Sequence, residues 1–237
     1  RDPADLVRAP DAFVNYDGID DDEDLGKDIQ SYRDKGFVKL LDSWAKLEEE
    51  LGCTPVLSRL GRVIKNKFNA SSGEYVTNAR TILDSKEPGV TAATKLRHRS
   101  VLPRGTDSIR CGLELAADLD EHEELEAAVV DFEDAYWHIP SRRRERRYAV
   151  ARWRSLYILI CRVVQGSRGG PVAYASVAAL CARCVQSLFA KKGQRNGRNI
   201  FELLLQLYVD DPLTIFKGTS SRRHRIKAMM VLAWRIL

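Results

Sequence analysis

The sequence predicts an α+β protein, with small antiparallel sheets backed by helices. Three observations predict it. Apolar extended stretches come in neighbouring pairs separated by turn residues, as around Asn69-Ala70-Ser71-Ser72-Gly73 and around Asp210-Asp211. Stretches with helical apolar spacing stand apart from those pairs. No internal repeat is visible, and the expected order α–β–β–α–β–β–β–α–β–β–α groups strands in runs instead of alternating them singly with helices.

The 237 residues suffice for one large domain or two small ones. Charged residues make up 30% and hydrophobic residues 44%, an ordinary balance for a soluble protein. No stretch approaches the roughly 18 apolar residues of a membrane span, so no membrane partner is expected. The polar, acidic start is not a signal peptide. Five cysteines without framework spacing point to reduced thiols in an intracellular protein. Cys181 and Cys184 form a C-x-x-C inside a helical pattern, and without two further ligands they read as packing, not zinc.

The net charge of +5 is unevenly spread. Residues 1–34 hold four Lys/Arg against eleven Asp/Glu, a balance of −7, and residues 35–237 carry the compensating +12. A basic body suits a polyanionic partner such as nucleic acid. Residues 1–34, with Asp20-Asp21-Asp22-Glu23-Asp24, read as a mobile acidic segment. They lack the spaced ligands of a calcium loop.

Residues 35–237 form the folded body. Phe37, Leu40, Leu41, Trp44, Leu47 and Leu51 recur at helical spacing until Gly52, predicting one amphipathic helix. Pro55 to Asp84 reads as a β-hairpin carrying Arg62, Lys65, Lys67 and Arg80, either as a solvated face or as a phosphate-contacting one. Lys86–Pro103 is a basic, irregular connection. A helix follows over Thr106–Ala117, with Ile109, Leu113 and Ala116 on one face. Ala127–Phe132 reads as a buried strand with Asp131 near its end, costly there unless paired or metal-bound. The Arg142–Arg147 run reads as solvated, and Tyr148–Arg154 and Leu156–Val164 as two further strands. Gln165-Gly166-Ser167-Arg168-Gly169-Gly170-Pro171 breaks the chain before a helix running to Phe189, Pro171 suiting its first turn. Lys191–Arg198 reads as a basic loop, and the last helix begins near Ser221.

Between them lies Phe201–Val209, then Asp210-Asp211, then Pro212–Phe216: strand, tight turn, strand. Two adjacent acids repel unless a cation lies beside them. Carboxylate oxygens suit Mg²⁺ or Mn²⁺, and the plain alternative is a solvated hairpin tip.

Four segments in order then carry a resemblance. They are Arg80-Thr81-Ile82-Leu83-Asp84; Val129-Val130-Asp131-Phe132-Glu133-Asp134-Ala135-Tyr136; Gln165-Gly166-Ser167-Arg168-Gly169-Gly170-Pro171; and Tyr208-Val209-Asp210-Asp211. Over residues 55–237 the chain resembles the reverse transcriptases of retroelements and retroviruses. The resemblance implies the fingers and palm of a right-hand polymerase, an RNA-directed DNA polymerase, with a primed RNA or DNA template and dNTPs as partners. It implies Mg²⁺ or Mn²⁺ held by Asp131, Asp210 and Asp211, with the Phe132 carbonyl as a further ligand. Two such metals clamp an in-line nucleotidyl transfer to a primer 3′-hydroxyl. It implies a nucleotide site of Arg80, Ala135, Tyr136, Gln165 and Gly166, the Tyr136 ring excluding a 2′-hydroxyl and Arg80 holding phosphates.

The sequence departs from the family at Pro212, which removes a backbone donor directly after the acids, and in the loose Ser167–Gly170 loop. The chain is expected to be truncated before the thumb. An alternative is a decayed reverse-transcriptase-like fragment that binds nucleic acid without catalysis. A sheet-based RNA-binding module would need an RNP pattern of aromatics, and none is found.

Overall fold

The computed structural model describes residues 6, 10–69, 73–195, 198–209 and 211–236. It is a mixed helix-and-sheet fold with small antiparallel sheets. Two compact units divide the chain: residues 1–97 with 136–171, and residues 98–135 with 172–237.

In the first unit, α1 (Glu23–Asp34) precedes β1 (Val38–Leu41) and α2 (Trp44–Leu51). Both helices start at capping side chains: Asp22 accepts from the Leu25 N–H and Ser43 from the Lys46 N–H. Gly52, left-handed at φ +69°, ends α2 as expected. The single helix predicted over 37–51 is therefore a strand and a shorter helix. Val38–Leu41 pair with residues 157–160, and that ladder overrides their helical spacing.

The expected hairpin forms as β2 (Arg59–Asn69) and β3 (Glu74–Asp84), an eleven-residue ribbon. A single-turn helix, α3 (Val90–Ala93), interrupts the connection predicted to be irregular. β5 (Val150–Trp153) and β6 (Leu156–Ile160) complete a sheet in the order β1-β6-β5. The arginine run winds into a 3-10 turn over Arg143–Tyr148.

Residues 10–34, part of the acidic segment, pack onto the first unit. Leu25 and Ile29, one helical turn apart among the acids, are buried with Leu60, Leu83, Ala151 and Ile158 in the first core. Acids meet the body's cations: Asp22 pairs with Arg62 and Glu23 with Arg154, while the Asp20 carboxylate accepts from the Arg154 backbone N–H. The Arg152 guanidinium donates to the Pro10 and Phe13 carbonyls, and the Trp153 indole N–H to the Ile19 carbonyl. Apolar burial and neutralisation together offset the ordering cost that composition alone leaves unmet.

The second unit holds α4 (Gly105–Ala116), β4 (Glu124–Val129), most of α5 (Gly170–Ser187), β7 (Ala190–Arg195), β8 (Arg198–Phe201), β9 (Leu203–Tyr208), β10 (Asp211–Gly218) and α6 (Ser220–Ile236). Its sheet runs β4-β10-β9. The basic loop expected at 191–198 is instead the β7–β8 hairpin; the sequence there carries Asn196-Gly197, a strong hairpin-turn pair. α4 buries Leu115 while Ile109 and Leu113 stay exposed, so the predicted apolar face is the wrong one. β4 is an edge strand with alternating exposure, where a fully buried strand was expected. On one side of the sheet Phe216 and Leu203 pack with Val185, Phe189, Ile226 and Met230. All five cysteines are free, as their spacing suggested. Among the described residues, no helix is long and apolar enough to cross a membrane.

Candidate functional site

The acids of the second unit sit at one end of its sheet. β9 and β10 pair as far as Tyr208 and Asp211. Val209 takes φ +58°, a left-handed conformation that a β-branched residue rarely adopts. Such strain persists where the surrounding structure over-determines it. Asp210 lies outside the described residues, so its predicted roles rest on sequence.

Asp131 reaches the same end from β4. The β4–β10 ladder pairs Val129 with Leu213, and the Val130 N–H donates to the Pro212 carbonyl at 3.4 Å. Asp211 shares a face of the sheet with Leu213, and Asp131 follows two residues after Leu213's partner Val129, beyond the last paired position. Gln206 and Tyr208 of β9 belong to that face, as does Val129. Pro212 lies at the end of a central strand, not at an edge. Its missing N–H faces Val130, so the carbonyl beside Asp131 receives no ladder bond from that position.

Asp131 and Asp211 are both exposed, and among the described residues neither has a hydrogen-bond or ion-pair partner. That stands out in a unit whose other strand acids are taken. On β4, Glu126 binds Lys227 and Arg223, and Glu124 binds Arg223 at 2.7 Å. The Lys227 ammonium, then the Arg223 guanidinium, hold the Glu126 carboxyl below its usual range. Phe132 packs its ring on Trp234 of α6, centroids 4.8 Å apart, which pins the chain directly after Asp131.

α4 covers the neighbouring part of the acid-bearing face. Ser108 donates to the Gln206 side-chain oxygen at 2.7 Å, and the Gln206 amide reaches the Cys111 Sγ at 3.2 Å. Burial raises the Cys111 thiol pKa, so it stays a thiol. Sequence reading missed this trio; the signal available was one glutamine inside the apolar run Leu203–Val209.

Ala135 of the predicted nucleotide set is buried at the start of a 3-10 turn, Ala135–His138. The other members lie in the first unit. Tyr136 is buried in the same 3-10 turn. Arg80 stands exposed on β3, opposite Val63, and Gln165 and Gly166 are exposed in the loop before α5. Gly166 takes φ +88°, a conformation that favours glycine. The Ser167 hydroxyl closes the loop onto the Val164 carbonyl at 2.8 Å, and a Cβ on Gly170 would lie 2.9 Å from that hydroxyl.

Among the described residues no three His, Cys, Asp or Glu side chains form a metal-binding group. The two described acids nevertheless fit a hard divalent cation. Both present carboxylate oxygens, neither pairs with a cation among the described residues, and both lie at one end of the sheet.

No known family matches the sequence, and no characterised protein matches it by sequence. The fold is similar to that of a solved foamy viral protease–reverse transcriptase, dRH, determined in complex with double-stranded DNA. The identity is 14% and the TM-score 0.56; the match covers 96% of this chain and 31% of the other. The chain thus has a reverse-transcriptase-like fold and spans about a third of that protein's length.

Proposed function

We propose that this chain is the fingers-and-palm portion of an RNA-directed DNA polymerase of a retroelement. One observation carries the proposal: the β4–β10 ladder brings the chain leading to Asp131 and the strand starting at Asp211 to one end of a small antiparallel sheet, and neither acid has a partner among the described residues. The reverse-transcriptase-like fold supports it. The basic balance of residues 35–237 suits a primed template strand as partner.

In this reading Asp131, Asp210 and Asp211 hold Mg²⁺ or Mn²⁺, with the Phe132 carbonyl as a further ligand. Bound there, the metals would acidify the primer 3′-hydroxyl and offset charge on the triphosphate. The chain's own part is to fix the ligands. Val209 holds the turn, the Phe132–Trp234 contact fixes the end of β4, and the Gln206 network fixes the strand before Tyr208. Arg80 donates to the triphosphate, Gln165 and the Gly166 backbone border the nucleotide, and Ala135 and Tyr136 line the sugar site.

A Mn²⁺ titration followed by electron paramagnetic resonance tests the metal site. Wild type should bind the ion, and Asp131→Asn and Asp211→Asn should each weaken binding about tenfold or more. Equal affinity in all three proteins would place the metal elsewhere.

A further inference from the structure

The β2–β3 ribbon is anchored at one end and projects at the other. At its base Leu60 and Leu83 are opposite each other and buried in the first core, and the Leu60 N–H donates to the Asn15 side chain. Two rungs out, Arg62 is opposite Thr81. Beyond that rung Ile64, Phe68, Tyr75 and Val76 are all exposed, as are Lys65 and Arg80.

The Arg62–Thr81 rung is where α1 takes hold. Arg62 is only 13% exposed and reaches Asp22 at 2.5 Å and Asp28 at 3.7 Å. Asp28 also accepts from the Thr81 hydroxyl at 3.3 Å, so one carboxylate grips both strands at one rung. Asp22 caps α1 through the Leu25 N–H at 2.9 Å while it binds Arg62, tying the start of the helix to the ribbon. Arg80 occupies the next rung, opposite Val63. Alternation puts its side chain on the face away from α1.

We infer that Arg62, with Asp22 and Asp28, is a positioning staple that sets the direction of the projecting ribbon and so aims Arg80. Its value for nucleotide binding rests on the polymerase reading; its mechanical role does not. A two-stranded ribbon has little stability by itself, so its last anchored rung decides how the free part moves. The grip is a charge-assisted, partly buried contact, and cutting one partner leaves the other desolvated.

Hydrogen exchange on the full chain tests the staple without activity. Asp22→Asn keeps a capping side chain and removes a charge, so the Asp22→Asn/Asp28→Asn pair should leave α1 in place. In that double variant and in Arg62→Gln, ribbon amides over 62–66 and 77–81 should exchange about tenfold faster. β1 and β6 amides should keep their wild-type rates, and Arg62→Lys should restore part of the protection. Unchanged ribbon exchange would overturn the staple, and equal acceleration of β1 and β6 would show general destabilisation instead.

A second arm reads binding of a fluorescent dTTP analogue with Mg²⁺. Arg62→Gln should weaken it about tenfold in an otherwise wild-type chain, and far less in an Arg80→Ala background, because the effect runs through Arg80. Additive losses would overturn the link to Arg80. Absence of dTTP binding by wild type would count against the polymerase reading, and the exchange data would still judge the staple.

Discussion

Val209 carries the strain of the acid-bearing turn. A left-handed β-branched residue costs on the order of 1–2 kcal/mol, and asparagine tolerates the conformation better. Val209→Asn should therefore raise stability by about 1 kcal/mol, seen as a melting temperature higher by about 2–4 °C. A lower melting temperature would show that the valine side chain contributes more by packing than its backbone loses. Tyr16 and Asp84 give a pH-dependent contact. The Tyr16 hydroxyl donates to Asp84 at 2.5 Å, and that bond, ahead of those from the Glu87 and Lys86 N–H groups, holds the carboxyl below its ordinary value. A depressed carboxyl stabilises the fold above its unfolded pKa of about 3.9 and stops doing so as pH falls through the folded value. Tyr16→Phe should therefore lower stability at pH 7, and the gap from wild type should close in acid; urea unfolding at pH 7 and pH 3 measures it. A gap independent of pH would contradict the assignment. At this scale the sequence marked Asp131, Asp211 and Arg80 by their patterns, and the structure leaves all three exposed. It left Arg62 open between a solvated and a phosphate-contacting face, because its partners Asp22 and Asp28 lie 40 and 34 positions away and pair only once α1 docks.

α1 is the element that composition hid. Its docking depends on Gly26, where a Cβ would lie 2.7 Å from the Trp153 ring. Gly26→Ala should destabilise the chain by about 1–3 kcal/mol through overpacking, against the gain an alanine normally brings to a helix. A denaturation midpoint raised by the substitution would mean that Trp153 moves aside freely. The β2–β3 and β9–β10 hairpins, α5 and α6 were legible because turn residues, a Gly-Pro start and apolar spacing agree locally. β1 was not, because four residues of helical spacing became a strand only by pairing with β6. The β7–β8 hairpin was hidden by its lysines and arginines, which read as solvent-facing loop. The α4 face was misread because the helix buries Leu115 and turns Ile109 and Leu113 outward.

For the molecule as a whole, the α+β class and the order of motifs were readable from residue patterns, whereas the division into two units depends on contacts far apart in sequence. The excess cations of residues 35–237 predict that duplex binding weakens steeply with salt. Affinity should fall at least about tenfold between 50 and 200 mM NaCl, and a flat response would remove phosphate contacts as the main source of binding. The central claim is metal-dependent nucleotidyl transfer at Asp131 and Asp211. Incorporation of one dNTP opposite an RNA template, from an annealed DNA primer and with Mg²⁺, tests it most directly. Wild type should extend the primer by one nucleotide. Asp131→Asn and Asp211→Asn should lose the activity by about a thousandfold while binding the duplex as wild type does, since each removes a group acting on the transition state. Tight duplex binding by wild type with no extension, or extension that survives both substitutions, would contradict the claim.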